Sequence, residues 1–69
     1  MTESAGREAL ILTEVTRAYV ENEAAPTYRH LATVAGLRSA ASAFDHASAL
    51  IDAGLLHRDA RGELRPVMS

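Results

Sequence analysis

The run Pro26-Thr27-Tyr28-Arg29-His30-Leu31-Ala32-Thr33-Val34-Ala35-Gly36-Leu37-Arg38-Ser39 carries two helix starts with one helix stop between them. Pro26 pushes its predecessor out of helical backbone, and Thr27 stands where an N-cap hydroxyl can accept an amide hydrogen bond. Leu31 and Ala32, with Val34 or Ala35, give the short helix that follows one inward face. His30 occupies the third position, where a capping box would place a carboxylate, so this cap is expected to be weaker than a full box. Gly36 is the stop, because glycine takes the left-handed conformation at little cost. Only Gly36, Leu37 and Arg38 lie between that stop and Ser39, which is placed to cap the next helix. This is the spacing of a helix-turn-helix.

Towards the C-terminus, a third helix is predicted over 39–53. It keeps Ala40, Ala43, Ala47, Leu50 and Ile51 on one side and turns Ala41, Ser42, Asp45, Ser48, Ala49 and Asp52 away. Gly54 closes it. A strand over 55–58, a turn over 59–62 and a returning strand over 63–67 then form a small hairpin, with Pro66 fitting only an edge strand. Towards the N-terminus, Ile11, Leu12, Val15, Ala18 and Tyr19 recur at helical spacing and predict a first helix over 7–23. Ser4 is its candidate N-cap, Glu8 favours the positive end of its dipole, and Ala24-Ala25-Pro26 is the expected stop. The fold class is mainly α: a three-helix winged helix-turn-helix with a short C-terminal β-hairpin wing. A single domain over 1–69 is expected, frayed at 1–6 and 67–69.

Composition narrows the function classes. The 69 residues suffice for one thin core, and the absence of cysteine removes disulfides and thiolate metal sites. His30, His46 and His57 are too scattered for a zinc site, so no metal and no cofactor is expected. No apolar run approaches the roughly 18 to 20 residues that span a bilayer, and the polar start 1–7 lacks a signal-peptide core. The expectation is a cytoplasmic protein with no membrane partner. There is no nucleophile beside a base, no carboxylate pair in a pocket and no phosphate loop, so the chain is not read as an enzyme. Every basic residue is arginine, which suggests a GC-rich coding genome.

The net charge of −2 taken alone counts against nucleic acid binding. Its distribution reads differently. Residues 1–26 hold Glu3, Glu8, Glu14, Glu21 and Glu23 against Arg7 and Arg17, whereas 27–69 hold Arg29, Arg38, Arg58, Arg61 and Arg65 against Asp45, Asp52, Asp59 and Glu63. A protein acidic overall can still offer one basic face.

At Ala25-Pro26-Thr27, Leu31-Ala32, Gly36-Leu37-Arg38-Ser39, His46, Leu50 and Gly54-Leu55-Leu56, the chain resembles the DNA-binding domain of the bacterial SOS repressor LexA family. The likeness covers nearly the whole chain and extends to a wing containing Arg58, Arg61 and Gly62. It implies a sequence-specific double-stranded DNA-binding regulator, such as a small plasmid, phage or bacterial repressor, with helix 39–53 in the major groove and wing 57–65 on the backbone. The family's self-cleaving second domain has no room here, and self-cleavage is not carried over. Where the family places an asparagine and two carboxylates among its base contacts, this chain has Ala41, Phe44 and Asp45, so no operator sequence is implied.

Within that reading, the outward face of the third helix carries small side chains, Ala41 and Ser42 among them, that let a groove approach closely. Ser39 can donate to a phosphate or a base while also capping. Asp45 can accept from a cytosine amino group or can repel phosphate and so sharpen selectivity. Asp52 argues against DNA. Arg29, Arg38, Arg58 and Arg61 are the candidate phosphate clamps, against the alternative of solvated charges loosely paired with Asp59 or Glu63. Arg65 is not counted among them. Tyr28 either reaches a phosphate or covers the core, Phe44 is expected to fill core space left by Ala47 rather than touch a thymine methyl, and His46 is expected to be a packed core histidine. Four clamps bind weakly, so a homodimer or cooperative pair on a two-part site is expected, although helix one offers an acidic exposed face and no strong dimer stripe. The competing reading is a winged-helix protein–protein interaction module, docking through acidic helix one or alanine-rich helix three. The chain is also compatible with a domain cut from a longer regulator, with Met1 and the completed wing favouring a whole small protein.

Overall fold

The structure, a computed structural model, describes residues 3–67. Three helices, α1 (Glu3–Val20), α2 (Tyr28–Ala35) and α3 (Ala40–Asp52), are followed by a two-stranded antiparallel hairpin of β1 (Leu56–Arg58) and β2 (Leu64–Pro66). This is the three-helix and hairpin layout predicted for a winged helix-turn-helix. No helix among the described residues is long and apolar enough to cross a membrane.

All three helices end on one backbone device. After α2, Gly36 turns left-handed at φ 69°, its N–H reaches the Thr33 carbonyl at 3.3 Å, and the Leu37 N–H reaches the Ala32 carbonyl at 2.8 Å. Gly54 at φ 80° does the same after α3, with the Leu55 N–H donating to the Leu50 carbonyl at 3.0 Å. These are Schellman stops, which satisfy carbonyls that the helix itself leaves open. The stop of α1 falls earlier than expected. Asn22 takes φ 58°, the Glu23 N–H donates to the Ala18 carbonyl at 2.8 Å, and the helix ends at Val20 rather than at residue 23. Asparagine is the residue after glycine best able to hold this conformation, so Asn22 and not Pro26 is the breaker. At the other end α1 already includes Glu3, and Ser4 stands within the helix instead of ahead of it.

The two capping hydroxyls act as predicted. Thr27 Oγ1 accepts from the His30 N–H at 3.0 Å and Ser39 Oγ from the Ser42 N–H at 3.2 Å. Between these caps and stops, Ile11, Val15, Leu31, Ala32, Ala35, Ala43, Ala47, Leu50, Leu56 and Leu64 form one core cluster. Ala35, not Val34, completes the inward face of α2. Three inward assignments fail. Tyr19 and Ala40 are exposed, and Phe44 is 45% exposed instead of filling the core. Ala43 and Ala47 are both fully buried, so neighbouring elements already reach the α3 backbone and no space for a benzyl group remains beside them.

The hairpin register pairs Leu56 with Pro66, His57 with Arg65 and Arg58 with Leu64. β1 starts one residue later than predicted and β2 is one residue shorter at each end, and beyond the ladder the Val67 N–H donates to the Leu55 carbonyl at 3.1 Å. Of the stretches expected to fray, 1–6 and 67–69, residues 1, 2, 68 and 69 lie outside the described residues, and 3–6 form the first turn of α1. Asp59 Oδ1 organises the turn by accepting from the Arg61 and Glu63 N–H groups at 2.9 and 3.0 Å, and Gly62 supplies the positive φ of 80°.

Polar seams join α1 to the other two helices. Glu14 Oε2 receives the Arg17 guanidinium at 2.7 Å and lies 2.9 Å from His30 Nε2 on α2. Glu8 Oε2 lies 3.3 Å from His46 Nδ1 on α3. His46 is therefore half-buried at the α1–α3 seam, not packed into the core as predicted. Arg17, and after it His30, holds the Glu14 carboxyl down at about 2.

Two measurements test these features. Space around Gly36 and Gly6 is open, so alanine at either meets no clash, and backbone conformation alone decides the outcome. Gly36→Ala is expected to destabilise by about 1–2 kcal/mol, the cost of a left-handed alanine. Gly6→Ala, inside α1, is expected to stabilise by about 0.5–1 kcal/mol in the same urea titration. For Glu14, a folded pKa below the ordinary 4.5 makes its contribution complete above that value and lost as the pH falls towards 2. The urea midpoint is expected to fall through this window and to fall less in Glu14→Gln. Some slope remains in that variant, because Arg17 also lowers Glu23, and the Glu63 N–H lowers Asp59.

Candidate nucleic-acid interface

The predicted contact residues come from four segments: the first turn of α2, the turn before α3, α3 itself and the hairpin. Ser39, Ala41 and Asp45 are exposed on α3 and its cap, and Ser42 is half-exposed. The Ser39 and Ser42 hydroxyls lie 3.4 Å apart, so the cap also orders the second serine. Arg29, on α2, and Arg38, in the turn after it, line one shallow depression together with Thr33 and Ser39. The same depression is lined by Ser39 and Ala40 at the N-terminal end of α3, where backbone amides favour an anion.

Tyr28, Phe44 and Arg58 meet where α2, α3 and β1 converge. The Tyr28 and Phe44 rings stand edge to face with centroids 5.3 Å apart. The Arg58 guanidinium lies over the Phe44 ring at 4.9 Å, and its Nε donates to the Tyr28 hydroxyl at 3.2 Å. Tyr28 is half-buried and packs against the core cluster, as one of the two readings made for it expects, and its hydroxyl holds Arg58. The wing turn lies beside the start of α2, since Gly62 and Glu63 line a shallow depression with Pro26, Thr27 and Tyr28. Arg61 is exposed at that turn.

The arginines divide by what their side chains touch. Arg17 is bound by Glu14, Glu21 and Glu23 at 2.7, 3.0 and 3.2 Å. Arg65 is bound by Asp59 and Glu63 at 3.3 and 3.2 Å. By contrast Arg29, Arg38, Arg58 and Arg61 have no carboxylate partner among the described residues. The alternative of loose pairing with Asp59 or Glu63 falls on Arg65 instead. Asp59 is held ionised first by the Glu63 N–H and then by the Arg61 N–H, with the Arg65 guanidinium behind them. It is the acid nearest the wing arginines in sequence, and its oxygens are already occupied.

Acidic charge is placed differently from the expectation for α1. Glu8 and Glu14 turn towards α3 and α2, and Glu21 and Glu23 close around Arg17. The exposed outer line of α1 is uncharged, running through Ala9, Thr13 and Val20. Asp45 and Asp52 on α3 are exposed and form no ion pair among the described residues.

Sequence reasoning missed the Phe44–Arg58 stack. The signal for half of it was present, because Phe44 follows Ala41 by three residues and precedes Ser48 by four, which puts it on the outward face of the helix. Nothing in the linear spacing of Phe44 and Arg58 announces their contact. No protein-family model, no curated protein and no solved structure matches this chain.

Proposed function

We propose that this protein is a sequence-specific double-stranded DNA-binding regulator of the repressor type, with α3 in the major groove and wing residues 57–65 on the phosphate backbone. The observation that carries this reading is the division of the arginines. Arg17 and Arg65 are neutralised by neighbouring carboxylates, whereas Arg29, Arg38, Arg58 and Arg61 have no carboxylate partner among the described residues and keep their charge for an outside partner. A net negative charge does not oppose it, since much of the acid is engaged on α1, away from these four groups.

The proportions of α3 suit the role. Its 13 residues make a rod of about 20 Å, and its exposed Ala41 and half-exposed Ser42 and Ser48 let a groove about 12 Å wide come close to the backbone. Asp45, exposed and unpaired, is an acceptor for a cytosine amino group, and its charge penalises misplaced phosphate. Four phosphate contacts give modest affinity, so binding as a pair on two half-sites belongs to the same proposal.

The second reading, a protein interaction module, is favoured by one observation: Leu10 and Val20 on α1 are 47% and 68% exposed beside an uncharged outer line. Selection of bound duplexes from a random pool, followed by anisotropy titrations across salt, separates the two. The DNA reading expects a selected site and a steep loss of affinity with salt. Absence of any mobility shift at low salt would sink it. On the selected site, Arg38→Ala and Arg61→Ala are each expected to weaken binding by about tenfold or more and to reduce the salt slope by about one. Arg17→Ala is expected to leave both unchanged.

A further inference from the structure

Arg58 differs from the other unpaired arginines in being held without being neutralised. Its Nε is committed to the Tyr28 hydroxyl at 3.2 Å, and its guanidinium carbon lies over the Phe44 ring, 4.9 Å from the ring centre. Neither contact supplies negative formal charge, and Nη1 and Nη2 donate no hydrogen bond among the described residues. Phe44 is itself steadied by the edge-to-face contact with Tyr28 at 5.3 Å. An aromatic face attracts a cation through its quadrupole, and a planar guanidinium can stack on a ring while its outer edge still donates. We propose that Phe44, backed by Tyr28, is a positioning residue: a seat that presents the terminal amino groups of Arg58 as a two-pronged donor to one DNA phosphate. This rests on the DNA-binding reading and assigns Phe44 a role that a core residue or a base-contacting residue would not have.

The physical gain is conformational. A free arginine at the surface samples many rotamers, and ordering it on binding costs free energy that a seated side chain has already lost in folding. Carboxylate pairing would order it as well, but would set an anion beside the incoming phosphate. The aromatic seat orders the fork and leaves its charge intact. The three parts lie on α2, α3 and β1, so the same contact ties the wing to the reading helix.

The test is a cycle of Phe44→Leu, Arg58→Ala and the double variant, with Phe44→Trp as the conservative replacement, each compared with wild type on the selected duplex. Phe44→Leu is expected to lower affinity about two- to fivefold while leaving the salt slope unchanged, because the charge is still present. Arg58→Ala is expected to lower both affinity and slope, the slope by about one, and the double variant is expected to match Arg58→Ala. Phe44→Trp retains the seat and wild-type affinity. Additive losses would make Phe44 an independent DNA contact and overturn the proposal, as would a Phe44→Leu variant with full affinity. An Arg58→Ala loss confined to one base pair with an unchanged slope would move the fork to a base edge and overturn the phosphate assignment.

A DNA-free measurement separates failure of the seat from failure of the DNA reading. In the unbound protein, ring current from Phe44 is expected to shift the Arg58 side-chain protons upfield in NMR spectra, and Phe44→Leu removes that shift. Shifted protons in a wild-type protein that retards no duplex would refute the DNA reading while confirming the seat's geometry. Unshifted protons in a wild-type protein that does bind DNA would refute the seat alone.

Discussion

Everything on the exposed side of α3 depends on how closely its buried side approaches the core. Ala43 and Ala47 bring only methyl groups to that contact and are fully buried. Leu50 and the half-buried Ile51 supply the larger apolar volume one turn later. With the helix backbone lying near its neighbours, a large side chain between these alanines has nowhere to go but outward, and Phe44 goes there. The small residues of the core therefore produce the aromatic platform at the surface. They also set α3 at the depth where Arg58, leaving from β1, meets that platform.

A second constraint is the disposal of acidic charge. Two carboxylates of α1 and two just beyond it are engaged by groups that would otherwise compete for attention at the surface: Glu8 with His46, Glu14 with Arg17 and His30, Glu21 and Glu23 with Arg17. In exposed settings such pairs add little to stability. Their effect is on where potential appears. Asp59 has the corresponding task within the hairpin, where it accepts two backbone N–H groups and the Arg65 guanidinium and so leaves Arg58 and Arg61 without an anion beside them. In an acidic protein, these pairings leave Arg29, Arg38, Arg58 and Arg61 without a carboxylate partner among the described residues.

The stops and caps show which parts of such a chain are readable in one dimension. Thr27, Gly36, Ser39 and Gly54 act within four or five residues of themselves, and each does what its local chemistry dictates. Asn22 acts on the same scale and was equally legible; the more conspicuous Pro26 drew the stop of α1 three residues too far. Pro66 sits opposite Leu56 at the rim of a two-stranded ribbon, where its missing N–H is not required. Helical periodicity likewise marked Ile11, Val15, Leu31, Ala43, Ala47 and Leu50 as core, because a face repeats every three to four residues whatever it packs against.

By itself, then, the sequence determined the element order, the turn between α2 and α3, the hairpin and most of the core, all of which are set by neighbours along the chain. It also marked Arg29, Arg38, Arg58 and Arg61 as a group. Tertiary structure decided the rest. Whether Tyr19 lies inside or outside depends on how near its neighbours approach, a distance that no single helix encodes. Arg17 and Arg65 find their carboxylates close by along the chain, but the contacts of Glu8 with His46 and of Glu14 with His30 form only when helices pack, as does the contact of Arg58 with Phe44 and Tyr28. The physical reason is that packing depth and charge pairing are properties of two surfaces brought together, whereas caps, stops and periodicity are properties of one.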